Sequence, residues 1–379
     1  MSWTRREFTR LGVAAGLAAG SARRSRGEDG RASTGGGYDS WILVDGCGSP
    51  GEFAAEDGSP LTARAIEDVR ASGLTAMNVT VGPVGSRPEH VAFFGIAGDI
   101  ARWQREIDAH PEALLQVRKA GDLAAAKESG RLGLVFGLQD GVAFHGDLSV
   151  LETLRGLGVL VVQPTYNLRN LLGDGCLEPA DAGLSRLGRA AVERMNALGI
   201  LVDLSHCGRR TTKDALGLSA KPVAFTHTGC AALHDHPRNK TDEELRALAD
   251  RGGVAGIYVM PYLRPKGQPV AEDVVRHLEH AIEVAGEEHV GVGTDGSLSP
   301  VALTPEYVEA FAAQAAARRK SGIGAPGEDP GAYLFAADLN TPRRFETLAG
   351  LLSRRGHATA RIEKILGGNF ARLFAEVWG

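Results

Sequence analysis

Residues 200–206 read Ile-Leu-Val-Asp-Leu-Ser-His, and residues 222–227 read Pro-Val-Ala-Phe-Thr-His. Each stretch is a short apolar run that ends on a histidine. A continuous apolar run of this length is typical of a strand that is buried on both faces, as in a parallel sheet. Because neighbouring parallel strands end at the same edge of a sheet, we expect the imidazoles of His206 and His227 to meet at one point.

Eight runs of this kind occur along the chain, and amphipathic stretches separate them. The runs cover residues 41–45, 74–79, 132–138, 159–163, 200–205, 222–226, 254–259 and 289–294. The amphipathic stretches cover residues 62–71, 98–110, 187–197, 242–249 and 272–285. Strands that alternate with helices predict an α/β fold of the (β/α)8 TIM barrel type. A doubly wound open sheet is the alternative, but no glycine-rich dinucleotide fingerprint follows the first run.

The C-terminal part of the chain continues beyond the eighth run with helical patterns. They cover residues 304–320, 343–354 and 359–377, and the last is interrupted by Gly-Gly-Asn at 367–369. The sequence therefore predicts a barrel domain over residues 38–379 that carries a C-terminal helical extension.

The N-terminus carries a targeting pattern rather than part of the fold. Residues 4–10 read Thr-Arg-Arg-Glu-Phe-Thr-Arg, and a mildly apolar run follows over residues 11–20. This twin-arginine pattern predicts a Tat signal peptide over residues 1–26 and a flexible linker over residues 27–37, and a disordered basic tail is the alternative. We therefore expect a periplasmic or extracellular protein. The apolar run is too short to span a bilayer and no cysteine ends it, so we expect no stable membrane anchor.

Composition and cysteine content restrict the function classes. The formal charge is −4 and no basic stripe is interleaved with aromatic residues, which argues against a nucleic-acid surface. In an oxidising compartment the cysteines could form a disulfide, although the sequence does not specify the pairing. The cysteines are Cys47, Cys176, Cys207 and Cys230.

Side chains with metal-binding and acid–base chemistry follow several of the predicted strands. In barrels of this class the active site lies at the C-terminal ends of the strands. His206, His227 and Asp295 form a nitrogen, nitrogen, oxygen set that Zn²⁺ accepts, with a position left for water. Other strand-end residues are Asp45, Cys47, Gln139, Asp140 and Tyr166.

Several motifs together resemble the membrane dipeptidase (renal dipeptidase) family of zinc hydrolases. The motifs are Gly-Leu-Ser at 183–185, Asp-Leu-Ser-His at 203–206, Thr-His-Thr at 226–228, His-Pro-Arg-Asn at 236–239, Gly-Thr-Asp at 293–295 and Gly-Gly-Asn-Phe at 367–370. The resemblance implies a (β/α)8 barrel, an amidohydrolase-type centre with two zinc ions, hydrolysis of dipeptides and a homodimer.

The resemblance also implies roles for individual residues. It assigns His206 and His227 to one zinc ion, Asp295 to proton shuttling, and Arg238 to the substrate carboxylate. A guanidinium is suited to the last role because its planar fork can hold a carboxylate in a bidentate manner. The alternative for Arg238 is an ordinary surface ion pair.

The chain departs from the family at three places. The family's first strand ends in Asp-Gly-His-Asn-Asp, whereas residues 45–49 read Asp-Gly-Cys-Gly-Ser. Gln139 stands where the family has a bridging glutamate, and Tyr166 stands where it has a substrate-contacting histidine. A glutamine offers one neutral oxygen and cannot bridge two cations as a carboxylate does. The sequence therefore favours one zinc ion over two.

Three interpretations of this altered site remain. In the first, one metal ion binds to His206 and His227 with help from Asp295 and from Gln139 or Asp140, and Tyr166 contacts the scissile carbonyl or the oxyanion. In the second, Cys47 is a thiolate ligand, although a single cysteine without a spaced partner is more often a non-ligand. In the third, the chain is an inactive exported barrel that binds peptides.

The first interpretation leads to a metal-dependent hydrolase of a dipeptide or small amide. Opening of a lactam or lactone at the same metal ion is a further possibility.

Overall fold

A computed structural model describes residues 37–51, 59–85, 89–144 and 146–379. The predicted Tat signal at residues 1–26, and the predicted linker up to residue 36, lie outside the described residues. No helix in the described part of the chain combines the length and the apolar character that crossing a bilayer requires.

Parallel strands form the centre of the molecule. The strands are β1 (Val44–Ser49), β2 (Ala76–Thr80), β3 (Leu114–Gln116), β4 (Leu132–Leu138), β5 (Val159–Val162), β6 (Leu201–Val202), β7 (Ala224–Thr228), β8 (Val254–Ile257), β9 (Val290–Val292) and β10 (Gly296–Ser297). Their order is β10-β1-β2-β4-β5-β6 in one sheet and β7-β8-β9 in the other, and β3 pairs with β4. A parallel bridge between Asp203 and Ala224 connects β6 to β7. The short strand β10 follows β9 along the chain and pairs with β1. The predicted α/β fold with parallel strands is confirmed.

Helices surround the strands and extend beyond them. The helices are α1 (Ala63–Ser72), α2 (Glu89–Ala109), α3 (Asp122–Ser129), α4 (Val150–Gly156), α5 (Arg186–Leu198), α6 (Arg209–Leu218), α7 (Asp242–Ala249), α8 (Ala271–Ala285), α9 (Pro305–Lys320), α10 (Arg344–Arg354), α11 (Thr359–Glu363) and α12 (Asn369–Trp378). The helices α9 to α12 form the predicted C-terminal extension. The sequence patterns missed β3, β10, α3, α4 and α6, which are short elements with few apolar positions to define a period.

The helix α12 anchors the C-terminus to the barrel. A π-helical turn over Lys364–Gly368 precedes it, and the ring of Phe370 is fully buried. A Cβ atom on Gly46 or Gly291 would collide with that ring, so these glycines leave the space that it fills. At the far end of α12, Trp378 Nε1 donates to the carbonyl oxygen of Leu160 on β5 at 3.2 Å.

The strand β6 is shorter than its apolar run predicts, and this decides where His206 lies. The carboxylate of Asp203 accepts hydrogen bonds from the backbone N–H groups of Ser205 and Thr226, at 3.1 and 3.0 Å. The regular strand ends at Val202, although the backbone N–H of Leu204 still donates to the carbonyl oxygen of Ala224 at 2.8 Å. His206 therefore lies on a turn beyond the strand, whereas His227 is within β7. Cys47, which was predicted to follow β1, also lies within its strand.

Candidate metal centre and active site

His206 and His227 face each other in the barrel mouth. Their Nε2 atoms lie 2.9 Å apart, and their ring centroids are separated by 5.0 Å. Both side chains are buried. Burial, reinforced by the positive charge of Arg238, holds the pKa of each imidazole well below its usual range, so both rings are neutral.

A hydrogen bond on the far side of the His206 ring determines its tautomer. His206 Nδ1 lies 2.6 Å from Asn167 Oδ1. The amide nitrogen of Asn167 donates to the carbonyl oxygen of Ile323 at 2.8 Å, so its Oδ1 is the acceptor toward the ring. His206 therefore carries its proton on Nδ1 and has a lone pair on Nε2.

The same arrangement recurs at His227. Its Nδ1 lies 2.9 Å from Thr226 Oγ1, and that hydroxyl donates to Asp203 Oδ2 at 2.5 Å. Since the hydroxyl proton is committed to Asp203, the Thr226 oxygen accepts from His227 Nδ1. Both imidazoles thus direct an unprotonated Nε2 at the same point. Two acceptors cannot hydrogen-bond each other, and such oriented imidazoles are the donor arrangement of a metal site. The residues present therefore fit a divalent cation.

Asp295 adds a carboxylate near the imidazole of His227. One donor atom from each of Cys47, His227 and Asp295 lies within 4.8 Å of the other two. The backbone of Asp295 is left-handed (φ 55°), and its N–H donates to the carbonyl oxygen of Cys47 at 2.7 Å. Burial raises the pKa of its carboxyl to about 7, although Arg238 acts in the opposite direction. A strained backbone at such a position is common in functional sites.

Arg238 is buried in the mouth without a carboxylate partner among the described residues. Only 1% of its surface is exposed, which excludes an ordinary surface ion pair. Its Nη1 donates to the carbonyl oxygen of Ser205, whereas its Nη2 is buried and has no hydrogen-bond partner in the described part of the chain. A buried guanidinium nitrogen without a partner is costly, so this atom is ready to receive an anionic ligand group.

Tyr166 packs directly on His206. Its ring stacks on His206 with centroids 4.0 Å apart and planes inclined by 26°. Its hydroxyl accepts a hydrogen bond from Arg318 Nη2 at 3.2 Å. Burial raises the pKa of the phenol to about 12, so Tyr166 is protonated at neutral pH.

These groups share one open cavity of about 660 Å³. The sequence-predicted residues that line it are Cys47, Gln139, Tyr166, His206, Arg238 and Asp295. The cavity is within the size range of small-molecule binding sites. The barrel therefore brings together residues that lie far apart in the sequence.

Comparison with known proteins agrees with this geometry. The sequence model of the membrane dipeptidase family (peptidase family M19) matches residues 95–304. The chain belongs to the membrane dipeptidase family. An amidohydrolase from Pseudomonas aeruginosa has 30% identity and a TM-score of 0.75, over 90% of this chain and 98% of that one. The dipeptidase verJ of Clonostachys rogersoniana is 29% identical over 273 residues, which are 72% of this chain and 62% of that protein.

A more distant relative shows that the fold is shared. It is a metallopeptidase from Rhodobacter sphaeroides whose structure contains a phosphinate mimic of the dipeptide L-Ala-D-Ala. It has 18% identity and a TM-score of 0.71, over 89% of this chain and 99% of that one. The chain thus has the family's barrel, although it spans only 62% of the length of verJ.

The first-strand departure from the family motif places a thiol in the metal centre. Cys47 Sγ lies 3.9 Å from Asp295 Oδ1 and 3.5 Å from Gln139 Nε2. Gln139 Nε2 also donates to Thr80 Oγ1 at 2.7 Å. The amide nitrogen of Gln139 is thus turned toward Cys47 and Thr80, which leaves only its carbonyl oxygen as a weak neutral ligand.

Two aspartates at the strand ends support the backbone rather than a metal ion. Asp140, which the sequence offered as a ligand, instead accepts from Gly85 N at 2.9 Å, Val142 N at 3.1 Å and Asn170 Nδ2 at 2.9 Å. Asp45 accepts from the backbone and the hydroxyl of Thr294, at 2.8 and 2.6 Å. These contacts occupy the two carboxylates, and Asp140 is not among the described residues that line the cavity.

All four cysteines are free thiols, so the structure contains none of the disulfides that an oxidising compartment would allow. Sequence reasoning also missed two residues of the cavity wall, Arg318 and Glu328. Both belong to the C-terminal extension, where no motif or strand end marks them. Asn167 was visible as a strand-end residue, but its contact with His206 depends on the folded loop.

Proposed function

We propose that this protein is a metal-dependent hydrolase that cleaves a dipeptide or small amide with one divalent ion. We propose Zn²⁺ as that ion. The observation that carries the proposal is the pair of unprotonated Nε2 atoms, 2.9 Å apart, at the cavity that His206 and Arg238 line. His206 and His227 would hold the ion, together with Asp295. When bound, the ion would act as a Lewis acid on a water molecule and on the scissile carbonyl.

Asp295 transfers the proton in this proposal. Its carboxylate accepts a proton from the attacking water while the new C–O bond forms at the carbonyl carbon. It then gives that proton to the amide nitrogen while the C–N bond breaks. The products are a carboxylate and a free amine. A carboxyl with a pKa near 7 is suited to both transfers, because it binds and releases a proton near neutral pH.

Arg238 would hold the C-terminal carboxylate of the substrate. Its Nη1 is fixed by the carbonyl oxygen of Ser205, so the guanidinium is oriented before the substrate arrives. Its Nη2 then gains a partner that the described residues do not supply. Tyr166 would contact the carbonyl oxygen of the scissile amide, since its hydroxyl is in the same cavity.

The direct test is to measure bound metal and turnover together. The domain spanning residues 38–379 is loaded with zinc, dialysed and examined by plasma mass spectrometry, and then assayed on dipeptides with L- and D-residues at the C-terminus. We expect about one ion per chain and hydrolysis of part of the panel. A protein that retains no zinc and cleaves none of the dipeptides would contradict the hydrolase proposal. Saturable peptide binding without turnover would instead support the exported binding barrel.

Cys47 is the further ligand that the geometry favours. Its thiolate would balance one charge of the cation, and thiolates are strong zinc donors. In the protein without metal, burial and the nearby Asp295 carboxylate raise the pKa of this thiol well above its usual value. Binding would therefore release its proton. Gln139 would donate to the sulfur through Nε2 rather than bind the ion.

Cobalt substitution tests the sulfur ligand. We expect Co²⁺-loaded protein to show an intense thiolate-to-cobalt charge-transfer band in the near ultraviolet, and Cys47→Ser to lose it. Cys230→Ser is the matched control, because Cys230 is equally buried but bonds to the carbonyl oxygen of His277. A band that survives in Cys47→Ser would exclude Cys47 as a ligand.

We also propose export by the Tat route, which the pattern Thr-Arg-Arg-Glu-Phe at residues 4–8 supports. A homodimer is proposed on the family resemblance alone. Cell fractionation and light scattering, respectively, would test these two proposals.

A further inference from the structure

The wall of the cavity opposite the barrel strands contains a buried ion pair from the C-terminal extension. Arg318 on α9 donates from Nε to Glu328 Oε2 at 2.6 Å and from Nη2 to Glu328 Oε1 at 3.0 Å. Glu328 also accepts from Tyr262 Oη at 2.7 Å and from the backbone of Ala325 at 3.0 Å. We call Arg318 and Glu328 the clamp. Both residues lie beyond residue 304, where the match to the family model ends.

The clamp is connected to the metal centre through one hydrogen bond. Arg318 Nη2 donates to Tyr166 Oη at 3.2 Å, and the Tyr166 ring stacks on His206. The phenol is therefore restrained at both ends, by the imidazole beneath its ring and by the guanidinium at its oxygen. Because the phenol is already held in place, its conformational freedom does not have to be lost during the reaction.

The direction of this hydrogen bond decides what the phenol can do. A guanidinium can only donate, so Tyr166 Oη accepts from Arg318 and keeps its own proton. Among the described residues, no hydrogen bond uses that proton. A protonated phenol in a substrate cavity is a donor for an oxygen that becomes negative during a reaction.

The charge of the clamp is balanced within the protein. Glu328 is 6% exposed and binds Arg318 through both carboxylate oxygens. Arg318 is thus neutralised, whereas Arg238 has no carboxylate partner among the described residues. A substrate carboxylate is therefore attracted to Arg238, and Arg318 remains on the phenol. This division separates the anchoring of the substrate from the stabilisation of the reacting carbonyl.

We propose that Arg318, held by Glu328, is a positioning residue that directs the Tyr166 hydroxyl proton at the carbonyl oxygen of the scissile amide. This inference rests on the proposed hydrolase function and deepens it. At this place the family carries a histidine, which can bear a positive charge on its own. A neutral phenol lacks that charge, and it depends instead on the orientation that the hydrogen bond from Arg318 gives to its hydroxyl group.

The expected effects follow from the size of single oxyanion contacts. Loss of one such donor lowers kcat by about 100-fold to 1,000-fold, so Tyr166→Phe should lose about 100-fold. Arg318→Met keeps the phenol but frees it, and should lower kcat by about 10-fold to 30-fold with KM changed less than about 3-fold. Affinity for a phosphinate mimic of a cleaved dipeptide should fall with kcat, since such a mimic reproduces the tetrahedral state.

A four-protein cycle tests the coupling, with wild type, Arg318→Met, Tyr166→Phe and the double variant. Because Arg318 acts through Tyr166, the double variant should have a kcat within about 3-fold of Tyr166→Phe alone. Arg319→Met is the matched control on the same helix. Arg319 donates to the carbonyl oxygen of Glu328 at 2.8 Å and anchors the same turn, but does not contact Tyr166. We expect its kcat and phosphinate affinity to stay near the wild-type values.

The outcomes separate this inference from the proposed function. If wild-type protein neither hydrolyses dipeptides nor binds the phosphinate, both proposals fail. If the wild type is active but the two single effects multiply in the double variant, only the positioning role is overturned. The positioning role is also overturned if Arg319→Met lowers kcat as much as Arg318→Met does. The clamp would then serve only to attach α9.

Discussion

Replacing His206 with alanine should abolish both zinc binding and hydrolysis while the barrel remains folded. The substitution removes one of the two Nε2 donors, and the remaining donors of His227, Asp295 and Cys47 lack the second imidazole that completes the tetrahedral set. We expect bound zinc to fall below about a tenth of the wild-type content. The kcat/KM for the best dipeptide should fall by at least about 1,000-fold. Plasma mass spectrometry and a ninhydrin assay measure the two quantities.

His289→Ala is the matched control for this prediction. His289 precedes β9, at the end of the barrel opposite the mouth, and its Nδ1 contacts the carbonyl oxygen of Gly253 at 2.8 Å. That variant should keep its zinc and its activity. The exported binding barrel would be supported instead by two results together. The wild-type protein would show no turnover, and the His206→Ala protein would lose zinc but still bind peptide with wild-type affinity.

The sequence was sufficient to predict which histidines converge, because strand order in a parallel barrel follows from the alternation of apolar runs and helices. It was not sufficient to predict how they are oriented. The orientation of His206 depends on Asn167, whose amide is in turn held by the carbonyl oxygen of Ile323. That contact joins residues that are 156 positions apart, which no local pattern encodes.

Local periodicity also fails where side chains bond to the backbone. The apolar run at residues 200–205 predicts a six-residue strand, but the regular strand stops at Val202, and the carboxylate of Asp203 beyond it accepts from the amides of Ser205 and Thr226. The carboxylate of Asp140 likewise accepts from the backbone amides of Gly85 and Val142. A strand-end aspartate is therefore ambiguous in a sequence, since a carboxylate satisfies buried amides as well as cations.

The clamp shows the opposite case, in which a correctly predicted helix carries an unpredicted function. The pattern at residues 304–320 predicts the helix α9, and the structure confirms it. Nothing in that pattern distinguishes Arg318 from Arg319, although only the first contacts Tyr166. The difference arises from the rotation of the helix over the mouth, which is decided by packing.

Replacing Asp295 with asparagine should remove hydrolysis but leave most of the metal in place. Asparagine has nearly the same shape and tolerates the left-handed backbone of this position, but its amide cannot accept a proton from water. We expect kcat to fall by about 1,000-fold, equivalent to about 4 kcal/mol in the barrier. Because His206 and His227 are unchanged, zinc content should stay above about half of the wild-type value.

Asp181→Asn is the matched control for the same backbone effect. Among the described residues, Asp181 and Asp295 are the non-glycine residues with positive φ, at 35° and 55°. Asp181 accepts from the backbone of Arg210 at 2.7 Å, which an asparagine oxygen can also do. The activity of the Asp181→Asn protein should therefore be close to that of the wild type. An Asp295→Asn protein that keeps more than a tenth of the wild-type kcat would remove Asp295 from the proton transfer.

The pH dependence provides an independent signature of the same carboxyl. Burial raises its pKa to about 7, while Arg238 and a bound cation both favour the charged form and lower it. A general base must be deprotonated, so wild-type kcat/KM should rise with pH and level off at or below about pH 7. In Asp295→Asn the residual activity should lack this rise at acidic pH, which we call the acidic limb, because the group that titrates is gone. A limb that persists unchanged in the variant would assign the titration to another group and contradict the role of Asp295.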